Sequence, residues 1–229
     1  MPPRIASAVV LLVSAFSADA ADLDRPPINY STAKADNAVT KLEQRLKAKT
    51  FELKPTDEHG YLRSLLTAFD VPISSQVLVF SKTSLQRQRI SPKAPRALYF
   101  NDEVTIGFCQ HGPVIEVAAN DPNLGTAFYT LDQRPDRGGQ FTRQTESCLI
   151  CHGSSSNQGF PGHLIRSVSA DSSGEMVLTR GTKRVDHTTP FADRWGGWYV
   201  TGTSGKQAHQ GNQIVGGWSW AEKDNQPAG

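Results

Sequence analysis

Two cysteines three positions apart, with a histidine directly after the second, stand at Cys148, Cys151 and His152. The run Cys148-Leu149-Ile150-Cys151-His152 spells C-x-x-C-H, the pattern by which c-type haem is attached to protein. The chemistry requires that spacing. Two thiols form thioethers with the two vinyl groups of one macrocycle, so they must lie a short turn apart on one side of it. The adjacent imidazole is then placed to bind the iron as its proximal ligand. No other part of the chain offers a comparable cluster.

Other chemistries also use paired cysteines, and each lacks a partner here. A thioredoxin-like redox pair opens a helix within a βαβ unit, and no such pattern surrounds residues 148–152. A structural zinc site needs four ligands, and no second Cys/His pair follows at suitable spacing. A local disulfide with an incidental histidine is the plainest alternative. The cysteine count bears on it: three is odd, whereas a disulfide framework is built from an even and usually larger number. Two cysteines in the motif and one left over, Cys109, is the arithmetic of one covalent haem. Cys109 falls at the end of a predicted strand, where a buried thiol is commoner than a reactive one.

The distal side of the iron is not specified by the motif. His163, Met176, His187 and His209 lie downstream, and His59 and His111 upstream. A methionine ligand raises the potential, and an open position permits ligand binding or catalysis. His187, in the polar run Val185-Asp186-His187-Thr188-Thr189-Pro190, is the expected second ligand. Trp195, Trp198 and Tyr199 are candidates for flat pocket walls, and Arg143, Arg166 and Arg194 for partners of the propionates.

The elements that must position these groups divide into three spans. Residues 1–20 read as a secretory signal peptide, with Arg4 as the positive region, an apolar stretch over 5–16 and Ala18-Asp19-Ala20 as the cleavage site. The expected location is therefore the periplasm, which agrees with the haem reading, because bacteria attach haem covalently outside the cytoplasm. No later stretch reaches the about 20 apolar residues of a membrane-spanning helix.

Residues 21–75 form a predicted helical segment. It begins with an extended arm over 21–30. A helix within 31–49 follows, carrying Ala38, Val39, Leu42 and Leu46, and then a shorter one over 57–69 with Asp57 as N-cap. Residues 76–229 are expected to be the β-rich haem-binding part, in one compact unit with the segment before it. Strands are predicted at 77–80, 97–100, 104–109, 114–118 and 127–131, separated by turn residues. Their spacing suggests an antiparallel meander or a small sandwich. Residues 141–147 lead into the motif as a helical turn. A hairpin is expected from 164–168 and 176–179, and the aromatic run 195–202 reads as a strand bent at its glycines. The fold class is α+β, with helices first and a mainly antiparallel sheet after them.

Charge excludes one class. The net charge is +2 in 229 residues, with Lys and Arg scattered, so no electrostatic footprint for nucleic acid exists.

Residues 95–212 resemble a group of exported bacterial proteins that carry a single c-type haem motif. The likeness rests on Tyr129-Thr130-Leu131-Asp132-Gln133, the C-x-x-C-H itself, Pro161-Gly162-His163-Leu164-Ile165-Arg166-Ser167-Val168, Asp186-His187 and Arg194-Trp195-Gly196-Gly197-Trp198-Tyr199-Val200-Thr201-Gly202. It implies a periplasmic haem protein and names no substrate; such chains often run longer than this one. The sequence does not resemble the small all-helical cytochromes c, which carry the motif near an N-terminal helix; here more than half of the chain precedes it. The functional expectation is electron transfer to a redox partner protein through one covalent haem. The alternatives are a haem-dependent oxidoreductase of peroxidase type with an open distal site, and a haem-based sensor or binding module.

Overall fold

The computed structural model describes residues 23–216 apart from 135, 137 and 138. The signal peptide expected over residues 1–20, and Trp218 and Trp220, lie outside the described residues.

The fold is α+β, built on one antiparallel sheet. Its seven strands are β1 (Val77–Val79), β2 (Arg96–Phe100), β3 (Val104–Phe108), β4 (Val114–Asp121), β5 (Gly125–Asp132), β6 (Phe141–Gln144) and β10 (Trp198–Tyr199). From β2 to β6 they follow one another as a meander, and β10 joins the other edge beside β1. The sandwich alternative is thus excluded for these strands: they form a single sheet. Successive residues in a strand face opposite sides. Register therefore defines two faces. On one, Tyr99, Ile106, Val117, Tyr129 and Arg143 stand in a cross-strand row. On the other, Leu98, Gly107, Glu116, Thr130 and Thr142 form one row, and Phe100, Thr105, Ala118, Phe128 and Gln144 the next.

The first face carries the core. Helix α1 (Ala38–Lys47) and helix α2 (Leu62–Ala68) bury Val39, Leu42, Leu62, Leu65 and Leu66 in the same cluster as Ile106, Ile115, Val117 and Leu131. Helix α1 starts at Asn37, whose side chain accepts the Val39 and Thr40 amides at 3.0 and 3.3 Å, while Thr40 Oγ1 accepts the Asn37 amide. This reciprocal cap satisfies amides that otherwise have no intrahelical partner. Asp121 of β4 locks the cap to the sheet: its Oδ2 accepts from the Asp36 amide and Asn37 Nδ2 at 2.8 and 2.9 Å.

Local details differ from the sequence expectations for identifiable reasons. Residues 23–33 are a chain of turns rather than an extended arm, because Tyr30 is fully buried. Its hydroxyl donates to the Thr126 carbonyl at 3.1 Å, and burial pushes its pKa up to about 12. The second helix has Tyr61, not Asp57, at its N-cap position and no side-chain cap, since Thr56 and Gly60 pair across a tight turn before it. Residues 141–144 are strand β6, drawn into the sheet by pairing with β5, so the helical turn is confined to the motif.

The expected hairpin of 164–168 with 176–179 is not formed. Strand β7 (Arg166–Val168) pairs with β9 (Thr182–Arg184), and residues 178–180 are a 3-10 turn. Strand β8 (Ala170–Asp171) keeps a single bridge to Met176 and pairs in parallel with β11 (Ile214–Val215). Of residues 195–202 only Trp198–Tyr199 is strand, because Gly196 and Gly197 bring the backbone against Ser167, Val168 and Ser81 with no room for a Cβ.

Candidate functional site

Helix α3 (Leu149–His152) is a single turn opening at Cys148, with the His152 amide donating to the Cys148 carbonyl at 2.9 Å. One helical turn puts residues three apart on the same side. Cys148 and Cys151 therefore share a face at different depths: Cys148 is half-buried and packs on the core cluster, while Cys151 is exposed. Burial pushes the Cys148 thiol up to about 11. It is a neutral thiol at pH 7, unlike the thiolate of a reactive dithiol.

The imidazole of His152 lies against the Phe128 ring, on the second face of the sheet, with centroids 4.6 Å apart. Its Nδ1 is 2.9 Å from the Gly162 carbonyl oxygen. A carbonyl can only accept, so Nδ1 carries the hydrogen. Burial holds the His152 pKa below its ordinary value; the Gly162 hydrogen bond opposes that shift without reversing it. The ring is therefore neutral at pH 7, and its lone pair resides on Nε2. This is the tautomer an Nε2 metal ligand needs, fixed by a backbone carbonyl.

Residues 153–162 exist in this shape to hold that carbonyl in place. The Gly162 amide donates back to the His152 carbonyl at 3.0 Å, and Asn157 Nδ2 bridges the carbonyls of His152 and Phe160 at 3.1 and 2.8 Å. The Pro161 carbonyl accepts the Thr126 amide at 3.1 Å, which docks the loop on the β4–β5 turn. A Cβ at Gly162 would stand 2.5 Å from Asn157 Nδ2. Gly162→Ala should therefore displace Asn157 from both carbonyls and destabilise the protein by about 1–3 kcal/mol. Denaturant unfolding measures the loss, and faster exchange of the Gly162 amide would locate it; an unchanged midpoint would reject this role.

Ile150 in the motif and Phe160 in the loop after it are 76% and 62% exposed, and Ile165 further on is 44% exposed. The second sheet face also carries the Arg96–Glu116 ion pair. Both charges are felt at His152 and at Cys148, the arginine lowering and the glutamate raising each pKa.

The other expected site residues are placed as follows. His187 is exposed in a turn shaped by Asp186; among the described residues its imidazole makes no hydrogen bond, and its carbonyl accepts from Arg194 Nη2. His209 is buried, with Nδ1 accepting the Gly211 amide at 3.0 Å. His163 stands near enough to His152 to be influenced by it, and its Nε2 is 3.3 Å from Asn120 Oδ1. Met176 is half-buried at its bridge to Ala170. His59 lies against Phe108 on the core face, and His111 is exposed in a turn.

The expected wall and propionate residues make contacts of their own. Trp198 Nε1 donates to the Arg166 carbonyl, and Tyr199 donates to the Pro92 carbonyl and packs on Phe80. Trp195 stands edge-on to Trp198. Arg143 binds the Tyr30 and Ala33 carbonyls on the core face, Arg166 binds Thr182, and Arg194 binds the carbonyls of His187 and Thr189. Sequence reasoning did not single out Phe128, Gly162, Arg96 or Glu116 as site residues. Only the Pro161-Gly162-His163 run carried a signal.

Among the described residues, no three His, Cys, Asp or Glu side chains converge as a metal-ligating group. No helix among them is long and apolar enough to cross a membrane. No protein-family model, curated protein or solved structure matches this chain.

Proposed function

We propose that this chain is a periplasmic c-type haem protein that passes electrons to and from a partner protein, with one haem held by Cys148, Cys151 and His152. The observation that carries the reading is the hydrogen bond from His152 Nδ1 to the Gly162 carbonyl. Together with the C-x-x-C-H spacing it supplies two thiols on one turn and a neutral imidazole with Nε2 free to ligate. The exposed Ile150, Phe160 and Ile165 support it further, since an apolar group bound there would remove them from water. When bound, the haem supplies one-electron chemistry at iron.

The protein's own task is narrower. Helix α3 presents the thiols, Gly162 fixes the imidazole, and Phe128 sets the plane in which the ring stands. A redox dithiol at this site is disfavoured by the raised Cys148 pKa.

His187 is assigned as the second axial ligand. Its imidazole is exposed and makes no hydrogen bond among the described residues, whereas His209 is buried and already uses Nδ1. Exported His187→Ala should convert the ferric spectrum from low spin to high spin almost completely, with covalent haem content unchanged. A low-spin spectrum identical to the parent's would reject this ligand and leave the attachment site standing.

A further inference from the structure

Among the described residues, a buried charged donor on the second sheet face lacks an acceptor. Arg96 projects from β2 on the side of Leu98 and lies across Gly107, where a Cβ would collide with its guanidinium. Its Nη2 pairs with Glu116 Oε2. The other Glu116 oxygen is taken by Ser84 Oγ and Gln86 Nε2 at 2.9 and 3.0 Å. Arg96 Nε is buried with no hydrogen-bond partner. Leaving a buried donor unpaired is costly, so a missing acceptor is the natural explanation.

Position narrows the acceptor. Arg96 reaches across Gly107 to Glu116, whose partner Thr130 stands two residues along β5 from Phe128, the residue that carries the His152 ring. The Nε of Arg143 is also buried and unpartnered, but it lies on the opposite face beneath Tyr30. The remaining unpartnered atoms, Gln86 Oε1 and Gln133 Oε1, are acceptors and cannot bind an anion. With Nη2 on Glu116, the Nε–H can still donate one charge-assisted hydrogen bond, and a single carboxylate oxygen is a fitting acceptor.

We propose that Arg96, held flat over Gly107 by Glu116, receives a propionate carboxylate of the haem. This rests on the haem reading above. Arg96 is then a positioning residue, anchoring the polar edge of the macrocycle while the thioethers anchor the other.

The test uses exported holoprotein: parent, Glu116→Gln, the Arg96→Gln/Glu116→Gln double variant and Arg96→Lys. The double variant avoids leaving a buried carboxylate unpaired. Covalent haem is measured by mass, the propionate bending band by resonance Raman, and the midpoint potential by titration. The double variant should shift the propionate band relative to Glu116→Gln and lower the potential. Loss of one unit charge near the iron, at an effective dielectric constant of about 20, is expected to change the oxidised-to-reduced ratio by on the order of tenfold. That corresponds to about 59 mV for one electron. Arg96→Lys, which keeps the charge and loses Nε, should shift the band and leave the potential near the parent value.

An unshifted band in Arg96→Lys, or an unshifted band and potential in the double variant, would overturn the Arg96 assignment while leaving the haem in place. Parent protein without covalent haem would instead bring down the underlying reading, and this assignment with it.

Discussion

Replacing Cys148 and Cys151 together by serine is expected to abolish covalent haem, leaving a folded chain that releases all of its pigment under denaturing extraction. Serine differs from cysteine by one atom and keeps the turn, because neither thiol makes a side-chain cap to α3. The single variants should each retain one attachment and shift the reduced alkaline pyridine spectrum, since one vinyl group stays unreacted. Cys109→Ser is the internal control. That thiol is buried just beyond β3, with its pKa pushed up to about 11 by desolvation, and has no part in the attachment. Covalent haem surviving in the double serine variant would remove the chemical basis of the reading.

The second large effect concerns the scaffold. Asp121→Ala should destabilise the protein by about 4 kcal/mol, because a buried carboxylate that satisfies several donors at once is lost. Asp121 Oδ2 accepts from the Asp36 amide and Asn37 Nδ2, and Oδ1 accepts the Asn123 and Leu124 amides at 2.9 and 3.2 Å. These donors belong to the α1 cap on one side and the β4–β5 turn on the other. The same turn holds the Pro161 carbonyl, so the haem-motif loop stands on this junction. Asp121→Asn replaces one acceptor oxygen with a donor and should lose about half as much. For a chain of this size 4 kcal/mol is roughly 10 °C in melting temperature. A loss under about 1 kcal/mol in the alanine variant would show that the junction is not a stability centre.

The meander was legible because its strands alternate. Val104, Ile106 and Phe108 on one side of Thr105 and Gly107 set the period directly. Helix α1 was legible in its apolar spacing, but its start was not, because the Asn37 cap is completed by Asp121 from a distant strand. Tyr30 stands alone among polar residues and turn formers, so no periodicity announced that it would be buried. The short C-terminal strands pair over long separations, Ala170 with Ile214 for example, and single strands carry no mark of such partners.

The site divided in the same way. Cys148, Cys151 and His152 lie within five residues, so the spacing on which the proposed attachment rests is visible in the sequence. Arg96 and Glu116 gain meaning only once adjacent strands bring them together across Gly107. The aromatic run around Trp198 suggested a pocket wall, yet its glycines serve a close backbone crossing and its polar atoms hold β7 and the segment at Pro92.

One optical measurement tests the central claim most directly. The chain is exported from cells equipped for haem attachment, purified, and its absorption recorded oxidised, reduced, and reduced under carbon monoxide. The account predicts covalent haem with low-spin spectra that do not respond to the gas, as for iron held by His152 and His187. A correctly exported protein without covalent haem would contradict the account outright, and ready binding of carbon monoxide would contradict the electron carrier in favour of an open distal site.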